Sequence, residues 1–205
     1  MGRWLFKREL KVGVASRITH GCCARDASLA IRGARGPGAR CLKAMWTHML
    51  GFTALPHVGG FAGALITRRE VKTWYPTLTK PSWRPPNAAF PVVWTGLYTA
   101  MGYGSYLVWK ELGGFTQDAM VPLGFYGLQL ALNWAWTPIF FGAHRIKLAL
   151  IELVLLTGTV GVTMLSWYPI SRPATLLMVP YLLWLGLATS LNYCIWRDNP
   201  EPKRD

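Results

Sequence analysis

The chain has 205 residues, of which 52% are hydrophobic and only 15% charged, and its mean hydropathy is +0.23. That balance is too apolar for an ordinary soluble domain and points to a membrane protein. Nor does the formal charge of +13 make it a nucleic-acid binder: residues 1–45 hold ten Lys/Arg against two Asp/Glu, a surplus of +8, and residues 46–205 hold only +5, with no basic helix suited to a groove.

Residues 1–44 are rich in Arg, poor in acid and lack the apolar run of a secretory signal. They are expected to form a disordered basic extension ahead of Met45, with a targeting presequence as the competing reading. Cys22, Cys23, Cys41 and Cys194 make neither a disulfide framework nor a metal-ligand spacing. Five segments follow, each near the roughly 20 apolar residues that cross a bilayer: 47–67, 87–109, 120–141, 148–167 and 174–196. All but one of the intervening loops are short, so neighbouring helices should run antiparallel. The expected fold is therefore an all-α bundle of five transmembrane helices over residues 45–199, with a polar tail at 200–205.

The one long connection lies within WYPTLTKPSWRPPNAAFPVVWTGLY, from Trp74 to Tyr98. Its prolines forbid a regular helix until about Asn87. Its Trp, Lys and Arg suit a cap at the headgroup level. Arg68, Arg69, Lys72, Lys80, Arg84, Arg145, Lys147, Arg197, Lys203 and Arg204 fall at one face of the bundle, against Lys110 and Arg172 at the other. By the positive-inside rule the Trp/Pro loop and the C-terminus are expected to be cytosolic. Gly59-x-x-x-Gly63, Gly60-x-x-x-Ala64 and Gly96-x-x-x-Ala100-x-x-x-Gly104 are small-xxx-small patterns. They suit packing inside the bundle, with a homodimer seam as the alternative.

At 100° per residue, Trp94, Tyr98, Met101 and Ser105 share one stripe. Tyr126, Gln129, Asn133, Trp136 and Phe140 share a second, and Tyr181, Trp184, Ala188 and Leu191 a third. Buried amides in hydrocarbon need partners, so these stripes should face inward. They either line a small-molecule cavity with aromatic walls and few polar groups, or simply fill the bundle.

Several motifs carry a specific resemblance. Trp74-Tyr75-x-x-Leu78-x-Lys80-Pro81-Ser82-Trp83-x-Pro85-Pro86 is followed by Pro91-Val92-x-Trp94-x-x-Leu97-Tyr98-x-x-Met101-Gly102. Ala131-Leu132-Asn133-Trp134-Ala135-Trp136 and Leu191-Asn192-Tyr193-Cys194-Ile195-Trp196-Arg197 come after them. Together these resemble the signature of the translocator protein family, also called peripheral-type benzodiazepine receptor or tryptophan-rich sensory protein, over roughly 51–199. The resemblance implies a pocket for porphyrins, sterols and benzodiazepine- or isoquinoline-type ligands, capped by the loop after the first helix. Its matching positions are Ala64, Trp94, Tyr98, Asn133, Trp136, Trp184, Ala188 and Leu191. Leu148 departs from the Trp of mammalian relatives, which puts ligand affinity in question.

Leu191, Tyr193 and Arg197 also fit a weak cholesterol-contact pattern, which the resemblance likewise assigns to cholesterol. Tyr193 and Arg197 share a helix face while Leu191 lies about 200° away from Tyr193. His57, beside Pro56, is expected to bond a carbonyl that the proline frees, and Glu152 to form an interfacial salt bridge with Arg145 or Lys147. No catalytic set, phosphate loop or metal spacing is apparent, so no cofactor or metal is expected. The resemblance implies a multi-pass protein of the mitochondrial outer membrane, with cholesterol, porphyrins and the lipid bilayer as partners and a link to sterol transport for steroid synthesis. Porphyrin breakdown by an enzyme, or tetrapyrrole sensing or scavenging, is the rival.

Overall fold

The computed structural model describes residues 37–199, with side chains from Leu42 onward; residues 1–36 of the extension expected over 1–44, and the polar tail at 200–205, lie outside the described residues. Five α-helices and no strand are found among the described residues. They are α1 (Pro37–Glu70), α2 (Ala89–Glu111), α3 (Gln117–Thr137), α4 (Ile146–Trp167) and α5 (Arg172–Asp198). The chain divides into two compact units, Met1–Leu50 and Gly51–Asp205. In the first, the described part is the start of α1, where Thr47 Oγ1 donates to the Lys43 carbonyl at 2.8 Å. The second holds the bundle.

Helix α1 begins ten residues earlier than the apolar segment at 47 suggests, so residues 37–44 are helical rather than disordered. A proline is tolerated in the first turn, and the Ala, Arg, Leu, Lys and Met that follow it favour helix. Helix α2 ends where Gly113 and Gly114 adopt φ of 73° and 113°, a left-handed turn that leads into α3. Helix α3 widens into a π-turn over Pro138–Gly142, closed by Ala143 N–H donating to the Pro138 carbonyl at 2.8 Å. His144 then takes φ 54° before α4 starts.

Helix α5 packs along both α4 and α2, and α3 packs along α4. Their shared core is fully buried at Met101, Val108, Leu156, Val160, Trp167, Met178 and Leu185. Trp167 satisfies its indole by donating to the Pro122 carbonyl at 3.1 Å. The outer surface is aliphatic: Ile151, Val154, Leu155, Val162 and Leu165 on α4 and Leu176, Val179 and Leu183 on α5 are all exposed. A surface so apolar needs lipid against it. By length and composition, Leu42–Glu70, Ile146–Trp167 and Arg172–Asp198 can each cross a membrane. Helices α2 and α3 are less hydropathic because inward Tyr, Trp, Gln and Asn dilute their aliphatic residues, as a polar-lined interior requires. The protein is a five-helix membrane bundle.

Close approach of α1 to its neighbours depends on missing side chains. A Cβ at Gly59 would lie 2.1 Å from the Trp134 ring, and one at Gly102 would lie 2.6 Å from the Phe52 carbonyl oxygen. Pro56 carries no N–H for that Phe52 carbonyl, so the α2 backbone at Gly102 comes up to a site where α1 lacks its own hydrogen bond. Gly59 and Gly102 are thus spent inside the bundle, whereas Gly96 faces open space.

Candidate functional site

A cavity of about 430 Å³ lies within the Gly51–Asp205 unit. Ala64 of α1, Trp94 and Tyr98 of α2, Asn133 and Trp136 of α3, and Trp184, Ala188 and Leu191 of α5 all line it. Part of each inward stripe meets here, whereas Met101, Ser105, Tyr126, Gln129 and Tyr181 are buried in the bundle without lining the cavity. Tyr98 and Asn133 are buried, and the Trp94 and Tyr98 rings lie 5.2 Å apart.

Asn133 is more committed than a free polar group. Tyr98 Oη donates to its Oδ1 at 2.8 Å, and its Nδ2 donates to Tyr181 Oη at 3.0 Å. One amide therefore ties α2, α3 and α5 together, leaving one N–H and one lone pair for an occupant. Trp136 stacks on Phe140 with centroids 4.8 Å apart and donates to Asn192 Oδ1 at 3.3 Å. Asn192 Nδ2 in turn donates to the Ile146 carbonyl at 3.0 Å, holding the start of α4 against α5.

The sequence reading missed several lining residues, among them His57, Tyr75, Phe90, Trp134 and Asn192. Trp134 lies on a different stripe from Asn133, and only its bond to the Pro56 carbonyl (3.2 Å) turns it to α1. The Asn192 and Trp136 pair could be sought as one buried amide and one half-buried indole in apolar helices, a pattern that asks for a mutual partner.

Two expectations are corrected. His57 Nδ1 faces the Thr53 carbonyl at 3.1 Å and Nε2 faces Thr99 Oγ1 at 3.3 Å, so it does not use the Phe52 carbonyl that Pro56 frees. Glu152 is not an interfacial salt bridge: it is 5% exposed and neither carboxyl oxygen has a hydrogen-bond partner. It shares the inward face of Ala149, Leu153 and Leu156, and Arg145 stands two helical turns away, a rise of roughly 10 Å. Leu148, at 49% exposure, faces outward and is not among the cavity residues, so the departure at this position falls on the outer surface.

The loop closes one end of the cavity through Tyr75, which is buried against Phe140 and Phe141 with centroids at 6.4 and 5.7 Å. Lys80 pins the turn: its Nζ donates to the carbonyls of Tyr75 (2.7 Å), Leu78 (2.5 Å) and Pro76 (3.4 Å) and lies 4.9 Å from the Tyr75 ring centroid. The Arg84 guanidinium stands 5.7 Å from the same ring and donates to Asn87 Oδ1 at 2.5 Å. Burial pushes the Tyr75 phenol above its ordinary value, with Arg84 pulling the other way. Burial, and then Arg84, pull the Lys80 ammonium below its own. Trp74 stacks on His144 at 4.0 Å, and His144 Nε2 meets Glu70 Oε2 at 3.1 Å. A further clasp joins loop to α5: Thr79 N–H donates to Asn199 Oδ1 at 2.8 Å, and Asn199 Nδ2 donates to the Thr79 carbonyl at 2.9 Å.

Of the three residues in the cholesterol pattern, only Leu191 reaches the cavity. Tyr193 is 48% exposed, and the exposed Arg197 side chain pairs with Asp198 through Nε at 2.7 Å. The pattern is split between interior and outer surface, as helix geometry requires.

Apolar-surfaced helices around a loop-capped aromatic cavity define a membrane-embedded helical bundle with a candidate ligand cavity. The chain belongs to the TspO/MBR family, whose model matches residues 52–197. It is 54% identical over 154 residues to the Translocator protein of Homo sapiens, covering 75% of this chain and 91% of that one. The Translocator protein of Bos taurus is 52% identical with the same coverage. Protein CrtK of Rhodobacter capsulatus is 41% identical over 142 residues, 69% of this chain and 88% of that one.

Proposed function

We propose that the protein is a receptor or translocator that holds porphyrin-like, isoquinoline- or benzodiazepine-type ligands in this cavity and cholesterol on the same molecule. It would act in the mitochondrial outer membrane, with the C-terminus cytosolic, in sterol delivery for steroid synthesis. The observation that carries the ligand reading is the convergence of four helices' aromatic residues on one cavity with few polar groups, a composition suited to a rigid, largely apolar guest. The names of the relatives support a translocator role. The orientation rests on the basic residues that cluster at the loop end.

Binding of protoporphyrin and of an isoquinoline to purified protein in detergent tests this reading. Asn133→Leu and Trp136→Ala should each weaken both ligands, since one removes the amide and the other an aromatic wall worth roughly 2–3 kcal/mol of burial. Unchanged affinity in both variants would place the ligands elsewhere. The enzyme reading has its own support, because Trp94, Trp134, Trp136 and Trp184 all line the cavity, within reach of a bound ring. We infer a receptor rather than an enzyme. Loss of protoporphyrin under light with multiple turnovers, abolished by Trp94→Phe, would reverse that.

A further inference from the structure

We propose that Arg84 is a carboxylate receptor at the loop end of the cavity, so that the favoured occupant is an amphiphile with a rigid apolar body and an anionic carboxylate. This deepens the cavity reading above and rests on it. Between residues 71 and 90 the chain carries Lys72, Lys80 and Arg84 and no Asp or Glu. Two of these cations, Lys80 and Arg84, stand over the same Tyr75 ring. Neither cation lines the cavity itself, but both stand on Tyr75, which does, and an anion placed between the loop and the guest would relieve their mutual repulsion.

The two cations are not equivalent. Lys80 spends its ammonium on three loop carbonyls, which makes it a structural pin. Among the described residues Arg84 hydrogen-bonds only neutral groups, the Asn87 amide oxygen and the Tyr75 side chain, and no carboxylate pairs with it. A guanidinium has five N–H donors in a planar fork whose natural partner is a carboxylate held by two parallel bonds. Arg84 lies against two residues that line the cavity, Tyr75 and Asn87. A guest with its body among Trp94, Trp136 and Trp184 and a carboxylate reaching past Asn87 would meet that fork. A neutral sterol or isoquinoline would gain no bidentate, charge-assisted pair from it.

The probes are protoporphyrin IX and its dimethyl ester, which share the ring and differ in the charge of the two side arms. In phosphatidylcholine nanodiscs the wild-type protein should bind the diacid about tenfold more tightly than the ester, the scale of one charge-assisted pair. Arg84→Gln should erase that gap by weakening the diacid alone, leaving the ester and an isoquinoline within about twofold, a difference near 0.4 kcal/mol. A gap that survives in Arg84→Gln would reflect the bulk of the ester methyls and overturn the proposal. So would an equal loss of all three ligands, which would make Arg84 a structural part of the loop. Phosphatidylglycerol added to the nanodiscs separates the ligand carboxylate from a headgroup phosphate. If the diacid preference collapses there, Arg84 belongs to the lipid surface and the proposal fails. Equal binding of diacid and ester by the wild type sinks the carboxylate inference alone. Binding of neither sinks the porphyrin reading of the cavity as well.

Discussion

Helices α4 and α5 on one side, and the bundle part of α1 with its loop on the other, are held by different physics. Between α4, α5 and α2 lie large side chains with no exposure at all, Trp167, Leu156, Met178 and Leu185 among them. Helix α1 has little of this. From Gly51 onward most of its large residues, Leu55, Val58, Phe61 and Leu65, are exposed, and it meets its neighbours through glycines and a few polar contacts such as Trp134 to Pro56. The loop that follows is fixed by carbonyls on one ammonium and by an amide clasp. Dispersion and close packing thus hold the frame, and discrete contacts hold the wall and lid of the cavity. Damage to the first should read out as lost stability, and damage to the second as altered binding by a folded protein.

The largest effect should come from the frame. Trp167→Ala removes a fully buried indole together with its bond to Pro122 and should cost roughly 3–5 kcal/mol of stability, seen as a lowered thermal melt in detergent with binding lost in parallel. A melt near that of the wild type would mean that α4 and α5 do not form the stabilising half. Next is the wall. Gly59→Ala drives a methyl into Trp134 and should move that ring off the cavity edge, an overpacking cost of roughly 1–3 kcal/mol. It should lower isoquinoline affinity about tenfold with a smaller shift in the melt. Equal losses in both would erase the distinction between wall and frame.

How much of this was legible in the sequence follows the same division. The inward stripes could be read because period and chemistry coincide: Tyr126, Gln129, Asn133 and Phe140 are all buried, as are Tyr98, Met101 and Ser105. Membership of a stripe does not give a partner, however. The Asn133 bonds to Tyr98 and Tyr181 depend on how three helices rotate, which no single-helix pattern contains. For Glu152, nearness in sequence to Arg145 and Lys147 suggests a pair, while its phase with Ala149 and Leu156 sets it inward. The clasp between Thr79 and Asn199 spans 120 residues of sequence and uses backbone atoms on one side, so no residue type announces it. The α1 start at Pro37 lies ahead of the apolar run, because helix propensity extends beyond the residues that meet lipid.

A smaller effect should come from that clasp. Asn199→Ala removes two hydrogen bonds to the loop at the exposed end of α5 while leaving every cavity residue in place. One net bond of about 1 kcal/mol corresponds to about a fivefold faster ligand dissociation. Association should quicken as well, because the same contact must open for entry, so the equilibrium affinity should move much less than either rate. Stopped-flow exchange of a fluorescent isoquinoline separates these cases. A drop in affinity with unchanged association would mean that Asn199 shapes the closed site and does not control its opening.

The smallest effect on the cavity should come from the outer face of α5. Arg197 and Tyr193 point away from the cavity that Leu191 lines, and the Arg197 guanidinium is already engaged by the neighbouring Asp198 carboxylate. A side chain at the helix end can keep its charge at the headgroups while its stem lies along lipid, the position from which it would reach a sterol hydroxyl. Arg197→Leu and Tyr193→Ser are therefore expected to lower cholesterol binding while keeping pocket-ligand affinity within about twofold. Photo-crosslinking with a sterol probe measures the first effect, and equilibrium isoquinoline binding the second. Loss of both ligands in Arg197→Leu would replace two separate contacts by one shared site or by misfolding. The melt of the variant then decides, because the frame formed by α2, α4 and α5 contains neither side chain in its buried core and should melt as the wild type does.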